Sequence, residues 1–362
     1  MFFNEKGWQA LLLASAILVS VPSPRLAQAS CGQAFCTVEA NPSSLRPQMP
    51  WQLRLDGQME YIEQDQPWVG YHSVPVGDLP RPDHQEVETT NLTWKLRAEL
   101  AVDERWSLGL ALPIVHREHL HLTSASHDHD EEMPAVHATA AAEPITIGNA
   151  TGAPERWNYT ELGDLEATVR YSLAGANALQ DWWLSVFAGL KLPSGRTHVR
   201  NDSGVEAEIP LQPGTGSVDP LLGFFVQRSI ASHDLRGDGS RIPIFAAVSL
   251  HTPGSDGRFG YRPGLEAIVS AGTAYPLTKR LDLLGQINFR YKDRDHVGDA
   301  PGVAREHSGG ETLHLSPGFR VWLAEATSLS SYFQVPVLRR VNGIQLVSDW
   351  NLLFAVSHEI SL

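Results

Sequence analysis

From Trp51 to the last residue, apolar and polar residues alternate with a period of two in run after run. That period puts successive side chains on opposite faces of an extended strand, whereas a helix would mix the two sets. In the first run Trp51, Leu53, Leu55, Gly57, Met59 and Tyr61 share one face, with Gln52, Arg54, Asp56, Gln58 and Glu60 on the other. The second sets Leu92, Trp94, Leu96, Ala98 and Leu100 against Asn91, Thr93, Lys95, Arg97 and Glu99. Ten more follow, at 106–114, 165–171, 182–190, 218–229, 242–250, 265–275, 281–291, 313–323, 329–337 and 352–362; the one at 218–229 is the least regular. The chain therefore offers twelve candidate strands, an even number.

Alternation alone fits two solvents. A soluble sandwich buries the apolar face in a core; an outer-membrane barrel turns it to lipid and the polar face to a lumen. Three features favour lipid. First, the links alternate in length. Those after the even-numbered strands are short (102–105, 174–181, 231–241, 276–280 and 325–326), while those after the first, third, fifth, ninth and eleventh are longer. The longest covers about 116–160, and the link His251–Arg258 breaks the rhythm. Second, Trp51, Trp106, Tyr171, Trp182 and Tyr275 fall at strand ends on the short-link side, as an interfacial aromatic girdle would, with Tyr291 and Trp350 toward the other rim. Third, Leu352, Phe354, Val356, Ile360 and Leu362 form an apolar face up to the terminal residue, although His358 interrupts it. The expected fold is all-β: a transmembrane antiparallel up-and-down β-barrel of about twelve strands over residues 51–362.

The rest of the chain fits that destination. Residues 1–29 read as a secretory signal peptide: Lys6, an apolar stretch from Trp8 to Val21, and Ala27-Gln28-Ala29 as the cleavage site. Residues 30–50 are expected to be a periplasmic segment whose Cys31 and Cys36 form a disulfide in an oxidising compartment. A net charge of -13 argues against nucleic acid as a partner. The expected partners are outer-membrane lipid, the export and barrel-assembly machinery, and a small-molecule solute. The expected location is the bacterial outer membrane.

Two stretches carry a family resemblance. One is Leu162-Gly163-Asp164-Leu165 running on to Val169-Arg170-Tyr171; the other is Lys191-Leu192-Pro193-Ser194-Gly195 followed by Gln212-Pro213-Gly214-Thr215-Gly216-Ser217-Val218-Asp219-Pro220. They resemble the outer-membrane channels named after the MetA pathway of phenol degradation, a family similar in architecture to the FadL-type transporters of hydrophobic compounds. The motifs cover about 160–225. The resemblance implies passive passage of small molecules, hydrophobic or aromatic ones among them, and names no solute. Gly163, Gly195, Gly214 and Gly216 are expected at sharp strand ends that need positive φ.

The polar face supplies the expected lumen lining. Its bases are Arg54, Lys95, Arg97, Arg170, Lys191, Arg290, Lys292 and Arg320; its acids are Asp56, Glu60, Glu99, Asp164, Glu166, Asp219, Glu266, Asp282 and Glu359. Such a mixed wall makes either a hydrated lumen with transverse fields or a salt-bridged network that fills a narrow barrel. The link after the third strand holds His116, His119, His121, His127, His129 and His137 among Asp128, Asp130, Glu131 and Glu132. Imidazoles suit Cu, Zn or Ni, so the alternative function is metal binding by an exported surface protein through this external loop. No other cofactor is expected. No P-loop, dinucleotide fingerprint, H-E-x-x-H or G-x-S-x-G occurs, so the chain is not expected to be an enzyme.

Overall fold

A computed structural model describes residues 49–78, 84–123, 143–174, 182–231, 241–299 and 305–362. The signal segment, Cys31, Cys36, His127, His129 and His137 lie outside these residues. Every run of alternation forms a strand. In chain order they are β1 (Gln52–Gly70), β2 (His72–Ser73), β3 (His84–Ala101), β4 (Trp106–Thr123), β5 (Ile145–Ile147), β6 (Ala150–Leu162), β7 (Leu165–Ala174), β8 (Trp182–Leu192), β9 (Asp219–Ala231), β10 (Arg241–His251), β11 (Glu266–Pro276), β12 (Leu281–Lys292), β13 (Gly310–Ala324) and β14 (Thr327–Ser361).

The sheet closes on itself. Neighbours in sequence pair antiparallel, and β1 pairs with β3 on one side and with β14 on the other, from Gln52 opposite Ser361. β6 pairs with the far half of β4 and β7 with its near half, so together they form one wall interrupted at Gly163-Asp164. β14 is a hairpin. Residues 327–341 run along β13 and 341–361 along β1. The chain reverses at Asn342-Gly343, with Gly343 at φ 60°, and Phe333 then stacks on Trp350 at 5.8 Å. With β6–β7 counted as one wall and β14 as two, the described chain makes twelve antiparallel passes around the ring.

The faces sort as the alternation requires. Leu96, Leu110, Val169, Leu190, Leu222, Ile244, Ile287, Phe319, Val337 and Val356 point outward and are exposed, while Arg54, Glu99, Asp164, Glu266, Asp282 and Arg320 are buried inside. A soluble protein does not display so continuous an apolar belt. Trp51, Trp106 and Trp182 are exposed on the short-turn rim, and Trp106 packs on Tyr171 at 4.7 Å across neighbouring strands. No helix among the described residues is long and apolar enough to cross a membrane; the crossing is made by strands.

Three expectations about links change. The strands outrun the membrane on the long-link side. β1 has 19 residues and β3 and β4 have 18 each, where about 9–11 tilted residues cross the bilayer. Beyond that depth nothing demands an apolar outer face, and polar Glu63, Asp65, Glu118 and Asn158 take over while the hydrogen-bonded ladder continues. The loop expected after the eleventh strand is thereby absorbed into the tight β14 hairpin. The link after β10, expected to be short, runs over 252–265 and carries the 3-10 turn Arg258–Gly260. All the long links therefore emerge on one rim.

Candidate functional site

The two motif stretches meet in space. Lys191, near the end of β8, puts its ammonium between Asp164 at 3.4 Å and Asp219, its closer partner. Asp164 accepts from the Gly195 N–H at 2.9 Å and from the Thr215 N–H and hydroxyl at 2.8 Å each. Asp219 accepts from the Ser217 hydroxyl at 3.0 Å and the Gly254 N–H at 3.2 Å. The glycines explain why the backbones can come this close. A Cβ on Gly195 would lie 2.7 Å from the Gly214 Cα and 2.8 Å from the Gly163 carbonyl carbon. Close approach, rather than positive φ, is what Gly163, Gly195 and Gly214 provide; only Gly216, at φ 71°, sits in the left-handed region.

The knot ties down both ends of the link 193–218, which folds inward. Val199, Ala207, Ile209, Leu211 and Gln212 of this strap are buried, and a 3-10 turn covers Ile209–Leu211. Val199, Ala207 and Leu211 pack against Trp157 and Tyr159 of β6 and Leu346 of β14. Arg117 of β4 donates from Nη1 to the Leu211 carbonyl at 2.7 Å and to the Pro210 carbonyl at 3.3 Å. The Tyr159 hydroxyl donates to the same Leu211 carbonyl, and the Trp157 indole to the Val205 carbonyl at 3.1 Å. Gln212 fastens the strap to itself, accepting from the Val199 N–H at 2.8 Å. Glu208 is half-buried, and desolvation together with the nearby Glu86 and Glu155 carboxylates holds its carboxyl well above the ordinary range.

Beneath the strap lies a cavity of about 250 Å³ with two unlike walls. Glu60, Lys95, Arg97, Glu99, Asp164, Glu166, Arg170 and Lys191 line one side. Their charges are tied together: Lys95 to Glu166 at 2.9 Å, Arg170 to Glu99 at 3.3 Å. Phe187, Leu221, Phe225, Phe245 and Ile268 line the other, with Glu266 at its edge. Phe225 and Phe245 of that wall also pack with Trp183 in a buried cluster.

The remaining charges expected on the inward face are inside but off the cavity. Arg54 pairs with Glu359 at 3.1 Å and stands 3.9 Å from Glu99; Arg290 holds Glu266 at 3.1 Å; Arg320 holds Asp282 at 3.1 Å. Lys292 pairs with Asp295 at 2.8 Å. Asp56 is half-buried on the inward face of β1. The structure thus brings the mixed wall together as an ion-paired network that leaves a cavity beside it.

The apolar inner wall was missed by strand-by-strand reading. Its signal was the irregular run at 218–229, where Leu221-Leu222-Gly223-Phe224-Phe225 is apolar on both faces. Leu221 and Phe225 are 3% and 1% exposed inside, while Leu222 and Phe224 are 47% and 38% exposed outside.

The histidines are placed differently from the expectation of an external loop. Because β4 continues to Thr123, His116, His119 and His121 belong to the barrel wall. Adjacent odd and even positions face opposite ways. His116 points outward to Thr160 at 2.9 Å, whereas His119 and His121 are buried inside, 5.7 Å apart and packed on Trp157. His119 bonds Thr89 at 2.8 Å and His121 bonds Glu155 at 2.7 Å. Among the described residues no group of three or more His, Cys, Asp or Glu side chains is arranged to hold a metal ion.

No protein-family model matches the chain, and no curated protein is significantly similar to it. Solved structures do match. An outer membrane channel from Pseudomonas putida F1 superposes with TM-score 0.54 at 14% identity, over 89% of this chain and 100% of that one. The fold is that of this bacterial outer-membrane barrel. A Pseudomonas aeruginosa FadL homologue matches at TM-score 0.38 and 9% identity, covering 86% of this chain and 90% of that one. The transport unit of the Escherichia coli autotransporter AIDA-I reaches 0.42 at 8% identity, covering 85% and 89%. Scores at this lower level are shared by barrels of unlike design.

Proposed function

We propose that the chain is a passive outer-membrane channel for small, largely apolar molecules, closed at rest by the inward strap. One observation carries this: a cavity inside the barrel has an aromatic and aliphatic wall although the barrel's stability in lipid asks for apolar residues only outside. Burying Phe225 and Phe245 opposite a fixed ion-paired wall makes a compartment that solvates apolar surface and still admits polar groups. The protein from Pseudomonas putida F1 with which it shares its fold is an outer membrane channel.

The strap is the obstacle to flow, so its removal is the test. Planar-bilayer recordings of the purified chain should show small, infrequent openings. A variant in which residues 197–212 are replaced by a short Gly-Ser linker should conduct several-fold more. If neither protein passes current while both migrate as folded, heat-modifiable barrels, the channel function is wrong.

A further inference from the structure

Among the described residues, one strongly buried cation differs from the others. Arg117 is 1% exposed, yet no carboxylate among the described residues pairs with it. Its bonds go to neutral acceptors: from Nη1 to the Pro210 and Leu211 carbonyls of the strap, and from Nε to the Asn91 side chain at 2.6 Å. Asn91 in turn donates to Gln64 at 3.2 Å, and Gln64 to the Leu346 carbonyl at 2.9 Å, so the charge is spread into amides and never neutralised. Every other strongly buried arginine or lysine of the inner wall has a carboxylate within 4 Å: Arg54, Lys292 and Arg320. A buried, uncompensated guanidinium is costly unless an anion comes to it.

Its surroundings describe that anion. Trp157, Tyr159, Leu211 and Leu346 pack around the strap segment that Arg117 holds, an apolar setting of aromatic rings and aliphatic chains. Asn91 adjoins the cavity-lining Thr93 on the inner face of β3, and Pro213, two residues past Leu211, also lines the cavity. The guanidinium is thus not itself part of the cavity lining but is joined to it through these two chain neighbours, at the strap's attachment point.

Building on the channel function above, we propose that Arg117 is an anion-recognition site for a small carboxylate with an apolar body, and that occupancy releases the strap. A carboxylate accepts a two-pronged, charge-assisted bond that is roughly twice as strong as those to the neutral carbonyls it replaces. It favours only the state in which Pro210 and Leu211 have left Arg117, and that difference in affinity is what opens the channel. Tyr159 then loses its bond to Leu211 as well, and the turn Ile209–Leu211 is free to withdraw.

Benzoate is a suitable probe, with benzamide as its uncharged counterpart and benzylammonium as the opposite charge. Calorimetric titration of the detergent-solubilised full chain, corrected with protein-free micelles, should show benzoate binding at least about tenfold more tightly than either. Benzoate should also raise open probability in planar bilayers. R117Q, which keeps an amide donor for the strap, should lose the benzoate preference and stay heat-modifiable. Tyr159→Phe, which loosens the strap and leaves the charge in place, should bind benzoate more tightly than wild type. Equal binding of benzoate and benzamide, or unchanged benzoate binding by folded R117Q, overturns the site. So does a wild-type chain that conducts ions yet neither binds nor responds to benzoate, a result that leaves the channel function standing. Benzoate binding to a chain that never conducts does the reverse: it keeps the site and removes the channel.

Discussion

Lys191→Met should release the strap while leaving the barrel wall whole. The Lys191 side chain is 14% exposed and faces Asp164 and Asp219, whose side chains are 4% and 7% exposed. Methionine keeps the length and the packing but leaves two buried carboxylates without their cation. Breaking a buried pair by removing one member costs about 3–5 kcal/mol, mostly the penalty of the stranded charge. Asp164 keeps three donors and Asp219 only two, so the larger share falls on Asp219. The penalty is relieved when the strap lifts and water reaches the carboxylates, so about 3 kcal/mol shifts the closed-to-open ratio by about a hundredfold. Single-channel recording is the assay: open probability should rise steeply in Lys191→Met and fall back by a large part in Lys191→Met/Asp219→Asn, where the stranded charge is gone. The temperature at which heat-modifiable mobility is lost should move little, since the ladders of β7, β8 and β9 do not involve this side chain. Identical traces for the single and double variants would refute the electrostatic reasoning. Traces like wild type for Lys191→Met would show that the knot does not hold the strap.

Gly195→Val should open the strap in the same recordings, because its Cβ alone would lie 2.7 Å from the Gly214 Cα; Gly57→Ala, which meets nothing within 4 Å, is the neutral comparison. Glu208 should make opening depend on pH. Its folded-state carboxyl is raised above the unfolded value, so its contribution to holding the strap is full below the ordinary carboxylate range near about 4.3 and is lost as pH rises through the folded value. Open probability should therefore climb from mildly acidic to alkaline pH, and Glu208→Gln should flatten that climb; a rising slope that survives the substitution counts against Glu208 as its source. Phe245→Ala, which empties one side of the cavity wall and disrupts the contact with Phe225, should cost about 3–5 kcal/mol in urea unfolding from detergent and weaken retention of single-ring solutes.

The parts of the fold that answer to lipid were legible, because lipid imposes one rule on every wall. Leu96, Leu110 and Val337 had to face outward and their neighbours inward, and the period of two shows this without knowledge of any partner strand. Legibility stopped where lipid stops. His116, His119 and His121 lie in the part of β4 beyond the length a bilayer needs, where the ladder to β6 and inward packing on Trp157 hold the strand, and a polar stretch there is indistinguishable from a loop until β6 is known to pair with it. The same holds for Arg117, whose role depends on carbonyls 93 and 94 residues away in sequence. Lys191, Asp164 and Asp219 were visible as charges on an inner face. Their meeting was not, since it needs three glycine backbones in contact and no periodicity encodes that.

The irregular run 218–229 deserves weight for the same physical reason. A wall between lipid and a water-filled lumen satisfies both solvents by strict alternation, and any polar residue facing inward would do. Leu221 and Phe225 break that rule on the one face where lipid exerts no demand, and Phe245 answers them from the next strand at 6.1 Å from the Phe225 ring. An empty aqueous pore has no use for this. Nor does it serve the charged wall opposite, where Lys95 pairs with Glu166 and Arg170 with Glu99. What an apolar surface inside a barrel does provide is a place for apolar solute between two aqueous sides. If replacing Leu221 and Phe225 with serine left ring-bearing solutes interrupting the current as often as in wild type, the inner wall would be packing alone, and the solute class would have to be sought at Arg117 rather than here.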